Sequence, residues 1–261
     1  MCLIVFAWRP GHARPLIVAA NRDEFYARPS AALAEWADHP GVYAGRDLEA
    51  GGSWLGVGPG GRFAALTNIR DPGQAAGVRS RGDLVAGFLC GEQSLDQYFE
   101  NIGVRSTQYS GFNLLLGDGQ RLGYVNSSSP LPEFLGEGVY GVSNAGLNTP
   151  WPKLLKARQA LHSNLAAQSR DLLDILADPA TVPDAELPST GVGLATERLL
   201  SSIFIASPNY GTRASTLVSV GADGSRHLIE RSFGPYGAKL GEVEITLGAE
   251  HALSVSSANS G

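Results

Sequence analysis

The sequence predicts an α+β fold in which antiparallel sheets are covered by grouped helices. Apolar β-like runs come in neighbouring pairs split by turn residues, and helical stretches gather between the groups instead of alternating strand by strand. The 33 glycines and 15 prolines among 261 residues suit many tight turns. No repeat at a period of roughly 20–50 residues is visible, and no low-complexity linker divides the chain. Residues 1–250 therefore read as one domain, and 251–261, ending in the small polar run SVSSANSG, as a flexible tail.

The elements follow in order. Cys2–Trp8 and Pro15–Ala20 are apolar runs joined by the polar, turn-rich segment Arg9–Arg14, a hairpin whose second strand delivers NRDE at 21–24. A loop-rich stretch leads to strands at Ser53–Val57 and Arg62–Asn68 around a Pro59-Gly60-Gly61 turn. Ser80 as N-cap with Asp83 three residues on predicts a helix through Leu84, Phe88 and Leu89. A short helix is expected over Leu95–Ile102, then strands near Gly111–Leu116, Gly123–Asn126 and Val139–Asn144. Thr149-Pro150 announces the longest helix, with Pro in its first turn and Trp151, Leu154, Leu155 and Leu161 on one face. Residues 168–201 read as mixed helix and loop, and strands return at Ala214–Val220, Arg226–Arg231 and Glu242–Thr246.

Composition narrows the function. With 43% hydrophobic and 17% charged residues, a net charge of −5 and no Lys/Arg run, the chain does not suit nucleic acid. Leu3–Trp8 lacks the basic flank, length and cleavage site of a signal peptide, and no apolar stretch is long enough for a membrane helix. Two cysteines make no disulfide framework, which points to a reducing, cytoplasmic setting. His12, His39, His162, His227 and His251 are scattered without ligand spacing, so neither a metal nor another cofactor is expected.

The second residue is the chemical centre of this reading. Cysteine is small enough for methionine aminopeptidase to remove Met1 before it, which would place a thiol and a free α-amine on one residue. An α-amine with a reference pKa of about 7.7–8.0 can act as base toward the thiol beside it. Arg22 would favour the thiolate if it approached the sulfur. On a regular strand Arg22 and Asp23 face opposite ways, so only a bend would turn both to Cys2, whereas Glu24 shares the face of Arg22. Asn68 and Asn144 each close an apolar strand and offer an amide to a developing oxyanion. Arg213 precedes a β-branched run, where it could meet an anionic group. Trp54 follows a Gly51-Gly52 bend as wall or core, and Cys90 reads as a packed free thiol.

Met1-Cys2, NRDE at 21–24, GGSWLG at 51–56, ALTN at 65–68, SRG at 80–82, SNA at 143–145, TPWPK at 149–153 and YGTR at 210–213 occur in order. Together they resemble the NRDE family, also called the transport-and-Golgi-organisation family, over residues 1 to about 213. The resemblance implies a four-layer αββα sandwich of the N-terminal nucleophile hydrolase type. It is distantly similar to choloylglycine hydrolases and penicillin V acylases, which cleave linear amides with an N-terminal cysteine. By that similarity Cys2 is nucleophile and base, Arg22 its electrostatic partner, Asp23 a further member of the catalytic set, and Asn68 and Asn144 oxyanion or amine contacts. The matched motifs make Asn21, Glu24, Trp54, Tyr210 and Arg213 candidate substrate contacts. Those acylases separate their arginine and aspartate by two residues, whereas Arg22 and Asp23 are adjacent, which leaves Asp23 or Glu24 to meet the amine.

Two functions follow. One is a cysteine hydrolase of a linear amide or thioester. The other, suggested by the association of eukaryotic family members with lipid metabolism, secretory organisation and haem traffic, is a carrier of haem, acyl-CoA or another lipid-like small molecule.

Overall fold

The computed structural model describes residues 2–74 and 76–249. Met1 and the tail expected at 251–261 lie outside them. Strands β1 (Cys2–Trp8) and β2 (Leu16–Phe25) form the expected antiparallel hairpin, with Cys2 opposite Arg22 and Trp8 opposite Leu16. β2 runs past Ala20, so NRDE is not a strand end but part of the strand. Its polar residues stay extended because they pair on both sides, with β1 and with Tyr210–Val220, which satisfies the backbone groups that burial would otherwise orphan.

Among the described residues the strands form two sheets of antiparallel neighbours. In chain order the remaining strands are β3 (Ser30–Trp36), β4 (His39–Asp47), β5 (Leu55–Val57), β6 (Phe63–Asn68), β7 (Phe112–Gly117), β8 (Leu122–Asn126), β9 (Ser129–Phe134), β10 (Gly138–Val142), β11 (Tyr210–Val220), β12 (Arg226–Phe233) and β13 (Lys239–Leu247). The first sheet has the order β10-β1-β2-β11-β12-β13 and the second runs β3 through β9 in sequence. The loop expected between Pro29 and Ser53 thus contains two strands, and Ser129–Phe134 is a third that periodicity did not reveal. β3 and β9 are sheet edges whose residues are mostly exposed, so burial imposes little alternation on them.

Alternation elsewhere sorts the core into layers. Ile4, Phe6, Trp8, Val18 and Ala20 of the first sheet meet Leu55, Val57, Phe63, Ala65 and Leu115 of the second. The outer face of the second sheet is covered by α1 (Gly82–Cys90) and α2 (Leu95–Arg105) through Leu84, Phe88, Phe99 and Ile102. The outer face of the first is covered by α3 (Pro152–Ser163), α4 (Ser169–Leu172) and the following turn through Leu154, Leu161, Leu172 and Leu176. A short α5 (Leu194–Leu199) precedes β11. The result is a four-layer αββα sandwich, in which burial of each large apolar side chain contributes about 1.5–3 kcal/mol.

Helix starts differ from expectation. α1 begins at Gly82 with Arg81 at the cap position, and among the described residues Ser80 Oγ accepts only from Gly82 N, at 3.3 Å. The full capping box lies instead at Ser94 and Gln97, where each side chain accepts from the other's backbone N–H. In α3 the proline of the first turn is Pro152, and Leu155 is exposed while Ala157 is buried in its place.

Candidate active-site cleft

A cleft of about 380 Å³ opens between the sheets, and Cys2, Arg22, Asp23, Glu24, Trp54 and Asn68 all line it. Cross-strand partners in a sheet point to the same face, so the pairing of Cys2 with Arg22 sends both side chains into the intersheet space. Cys2 keeps part of its surface exposed. The Arg22 guanidinium is buried and lies 4.3 Å from the centre of the Trp54 ring, a cation–π arrangement. Trp54 reaches it because position 45 is glycine: a Cβ there would fall 2.3 Å from the indole ring. The turn before Trp54 also crosses the start of α1 at backbone contact, where a Cβ on Gly52 would sit 2.4 Å from the Gly82 carbonyl carbon. Ser53 N donates to Gly82 O across that crossing.

Asn68 and Asn144 meet directly. Asn144 Nδ2 donates to Asn68 O at 2.9 Å and to Asn68 Oδ1 at 3.1 Å. This commits the Asn144 amide and holds Asn68 by its oxygen, while the Asn68 NH2 makes no hydrogen bond among the described residues and belongs to the cleft lining. Below them Ser143 Oγ donates to the Cys2 carbonyl at 3.1 Å. Thr67 and Asn113 in turn donate to the Ser143 carbonyl.

The side chains of Asn21 and Asp23 turn to the other face of β2, although Asp23 also borders the cleft. Asn21 Nδ2 donates to the Leu176 and Ile203 carbonyls at 2.9 and 2.8 Å, and its Oδ1 accepts from Ser215 at 2.6 Å. Its polar atoms tie the sheet to the helical layer, away from the cleft. Asp23 is buried and accepts from Thr212 Oγ1 at 2.7 Å. The bulge in this region is in β11 at Arg213, not in β2. Arg213 uses its guanidinium on the Phe25, Tyr26 and Arg28 carbonyls, which braces the loop after NRDE and leaves it off the cleft lining. Tyr210 packs edge-on against Phe25 with ring centres 5.1 Å apart and also lies outside the lining. Glu24 does share the cleft side, with Oε1 accepting from Phe25 N.

Burial raises the Cys2 thiol above its ordinary value, and the Asp23 charge adds to this, while Arg22 and a hydrogen bond from the Asp23 backbone oppose it. Burial also raises the Asp23 carboxyl against the pull of Lys153, Thr212 and Arg70. Lys153 is itself buried beside Asp23, donates to the Leu200 carbonyl at 2.9 Å, and is pushed down to about 8 by desolvation. Arg70 forms a buried ion pair with Glu197 at 2.5 Å.

The sequence model of the family described as Transport and Golgi organisation 2 matches residues 1–235. The chain belongs to this family. It is 37% identical to the Bos taurus Transport and Golgi organization protein 2 homolog over 259 residues, covering 89% of this chain and 93% of the relative. The Homo sapiens homolog is 36% identical over 256 residues with the same coverage, and the Drosophila melanogaster protein 30% identical, covering 89% and 92%. Among solved structures, a Caenorhabditis elegans N-acylethanolamine-hydrolyzing acid amidase ortholog superposes with a TM-score of 0.49 at 11% identity, covering 83% of this chain and 92% of that one.

The family motifs contain residues whose placement sequence reasoning did not foresee. Arg81 of SRG lines the cleft, Ser143 of SNA holds the Cys2 carbonyl, and Lys153 of TPWPK sits behind Asp23. Motif membership was the available signal for all three. Glu230, buried with Oε1 accepting from Leu33 N and Oε2 from Thr216, acts electrostatically on Arg22 from deep between the sheets; nothing in its local sequence marked it. Among the described residues no helix is long and apolar enough to cross a membrane, and no group of three His, Cys, Asp or Glu could hold a metal.

Proposed function

We propose that the cleft is the active site of an N-terminal cysteine hydrolase acting on a linear amide or thioester after removal of Met1. The observation that carries this is the Cys2–Arg22 cross-strand pair opening onto a cleft with the Asn68 amide. A thiol raised by burial needs a base close by to become a nucleophile, and the α-amine exposed by methionine removal would be that base. The face constraint on Arg22 and Asp23 then has a use. Arg22 addresses the sulfur from the cleft side, while Asp23, on the other face, addresses the backbone end of Cys2 and orients its amine.

In this mechanism Sγ bonds to the substrate carbonyl carbon as the amine takes the thiol proton. The Asn68 NH2 donates to the oxyanion, with Asn144 acting as its positioning residue. The carbonyl–nitrogen or carbonyl–sulfur bond breaks, and the proton passes to the leaving group. Water then attacks the acyl–Cys2 thioester, which releases the carboxylic acid and restores the thiol. The lining, with Trp54, Leu66 and Val78 as its larger apolar members, suits an acyl compound with a polar handle better than a haem macrocycle, whose faces need broad apolar walls. Acyl-CoA remains compatible, as thioester substrate or as cargo.

Intact-mass measurement and hydrolysis of a panel of N-acyl amides and acyl thioesters test the proposal together. The expected result is a chain lacking Met1 that hydrolyses at least one class, with turnover lost in Cys2→Ala. Quantitative retention of Met1, or equal turnover in Cys2→Ala, would overturn it.

A further inference from the structure

Four arginines, Arg22, Arg28, Arg79 and Arg81, line the cleft beside the carboxylates of Glu24 and Asp47, in a chain whose net charge is −5. Like charges gathered in a partly dehydrated space repel one another unless each has a counter-charge. Arg28 has its own: its guanidinium donates to Asp47 at 2.8–2.9 Å and to Glu49 at 2.9 Å. Arg79 is 3.3 Å from Asp83. Arg22 and Arg81 differ. The Arg22 guanidinium rests on Trp54 and makes no side-chain hydrogen bond among the described residues, although Arg22 is more than nine-tenths buried. Glu230, which acts on its charge from a distance, gives its oxygens to Leu33 and Thr216. Arg81 donates from one amino group to the Gly111 carbonyl at 3.2 Å and has no carboxylate at ion-pair distance among the described residues. Arg81 shares the cleft lining with Cys2 and Glu24, and both act favourably on its charge while burial and Arg28 oppose it.

We propose that Arg81 is a substrate-binding residue that, together with Arg22, receives a carboxylate or phosphate on the molecule that Cys2 meets. The inference rests on the cleft being the active site and adds the class of substrate: an acyl compound with an anionic group close to the scissile bond. A planar guanidinium with free paired donors is suited to either oxyanion. Arg81 enters from the start of α1 and Arg22 from β2, so an anion between them would bridge the helix-bearing rim and the nucleophile strand. The Gly52–Gly82 crossing fixes where α1 starts and thereby the reach of Arg81.

The test uses the full chain and needs no knowledge of the natural substrate. Iodoacetate and iodoacetamide alkylate the same thiols and differ in charge, so their relative rates at Cys2 report an anion subsite. Cys90, on α1 and outside the cleft lining, serves as reference in the same peptide digest. The expected iodoacetate-to-iodoacetamide ratio at Cys2 exceeds that at Cys90 on the order of fivefold. Arg81→Gln should abolish this preference and Arg81→Lys retain most of it. Inorganic phosphate and acetate are the competing probes: the ion that slows iodoacetate at the lower concentration identifies the phosphate or the carboxylate as the preferred group. Calorimetric titration with phosphate and with acetate reads the subsite without alkylation, with at least one ion binding the wild type and binding lost in Arg81→Gln. An unchanged ratio in Arg81→Gln, or titrations identical in wild type and variant, would overturn the subsite. A chain that binds the ion through Arg81 but hydrolyses nothing would instead overturn the hydrolase reading and leave the subsite standing.

Discussion

Ser143 Oγ lies 3.1 Å from the carbonyl oxygen of Cys2 and donates to it, binding the first described residue of β1 to the turn after β10. The Ser143 side chain is buried, so its loss removes a hydrogen bond and leaves an acceptor poorly satisfied. Ser143→Ala is expected to cost about 1 kcal/mol, seen as a Tm lower by about 2–4 °C for a chain of this size. It should also loosen the position of Cys2, giving a broader distribution of alkylation rates. An unchanged Tm would show that the carbonyl finds water as an equal partner.

Arg22 lowers the thiol that burial raises. The alkylation rate of Cys2 in the wild type should therefore climb with pH to a midpoint above that of an ordinary cysteine. Arg22→Gln should push the midpoint further up, and the rate at pH 8 should fall. Rates at Cys90 give the reference. A midpoint that moves down in Arg22→Gln would mean that the guanidinium does not act on the sulfur.

The elements that carry alternation were readable from sequence, and those that function brings together were not. Ile4, Phe6 and Trp8 against Leu3, Val5 and Ala7 fall on two buried faces, so β1 declares itself by composition. β3 and β9 are exposed edges, and Ala-rich SAALAEW has little strand propensity, so neither could be seen. The period of two correctly separated Arg22 from Asp23. What it could not supply was a partner for each face: Trp54 comes from the bend leading into β5 of the other sheet, and Thr212, Lys153 and Arg70 come from beyond the strand. The interactions of Asn21 and Arg213 likewise depend on carbonyls far away in sequence, and local spacing carries no information about those.

Gly52 offers a test of the cleft's rim. Its Cβ would lie 2.4–2.8 Å from three backbone atoms of Gly82, and backbone cannot rotate out of the way. Gly52→Ala should destabilise the chain by about 1–3 kcal/mol, the usual cost of overpacking. Because α1 must move, the charge preference at Cys2 should fall even in molecules that remain folded. Chemical denaturation with alkylation under native conditions separates the two effects. Stability equal to wild type would show that the crossing relaxes at no cost.

Lys153 makes the buried charge behind Asp23 visible in a pH titration. Desolvation lowers its ammonium to about 8 from an ordinary 10.5, so between those values the unfolded chain holds a proton that the folded chain has released. Stability then rises with pH across that window: the penalty of burying the charge is present in full below about pH 8 and is relieved by about pH 10.5. Lys153→Met also removes the donor to the Leu200 carbonyl, so its absolute stability mixes several effects, but it has no proton to release there. The stability of wild type minus Lys153→Met should therefore increase between pH 7.5 and pH 10 by up to about 3 kcal/mol. Subtraction cancels the tyrosines that titrate in the same range in both chains. Urea midpoints at the two pH values measure the difference. Parallel curves would show that Lys153 keeps an ordinary ammonium, and with it that the space behind Asp23 is wetter than its burial indicates.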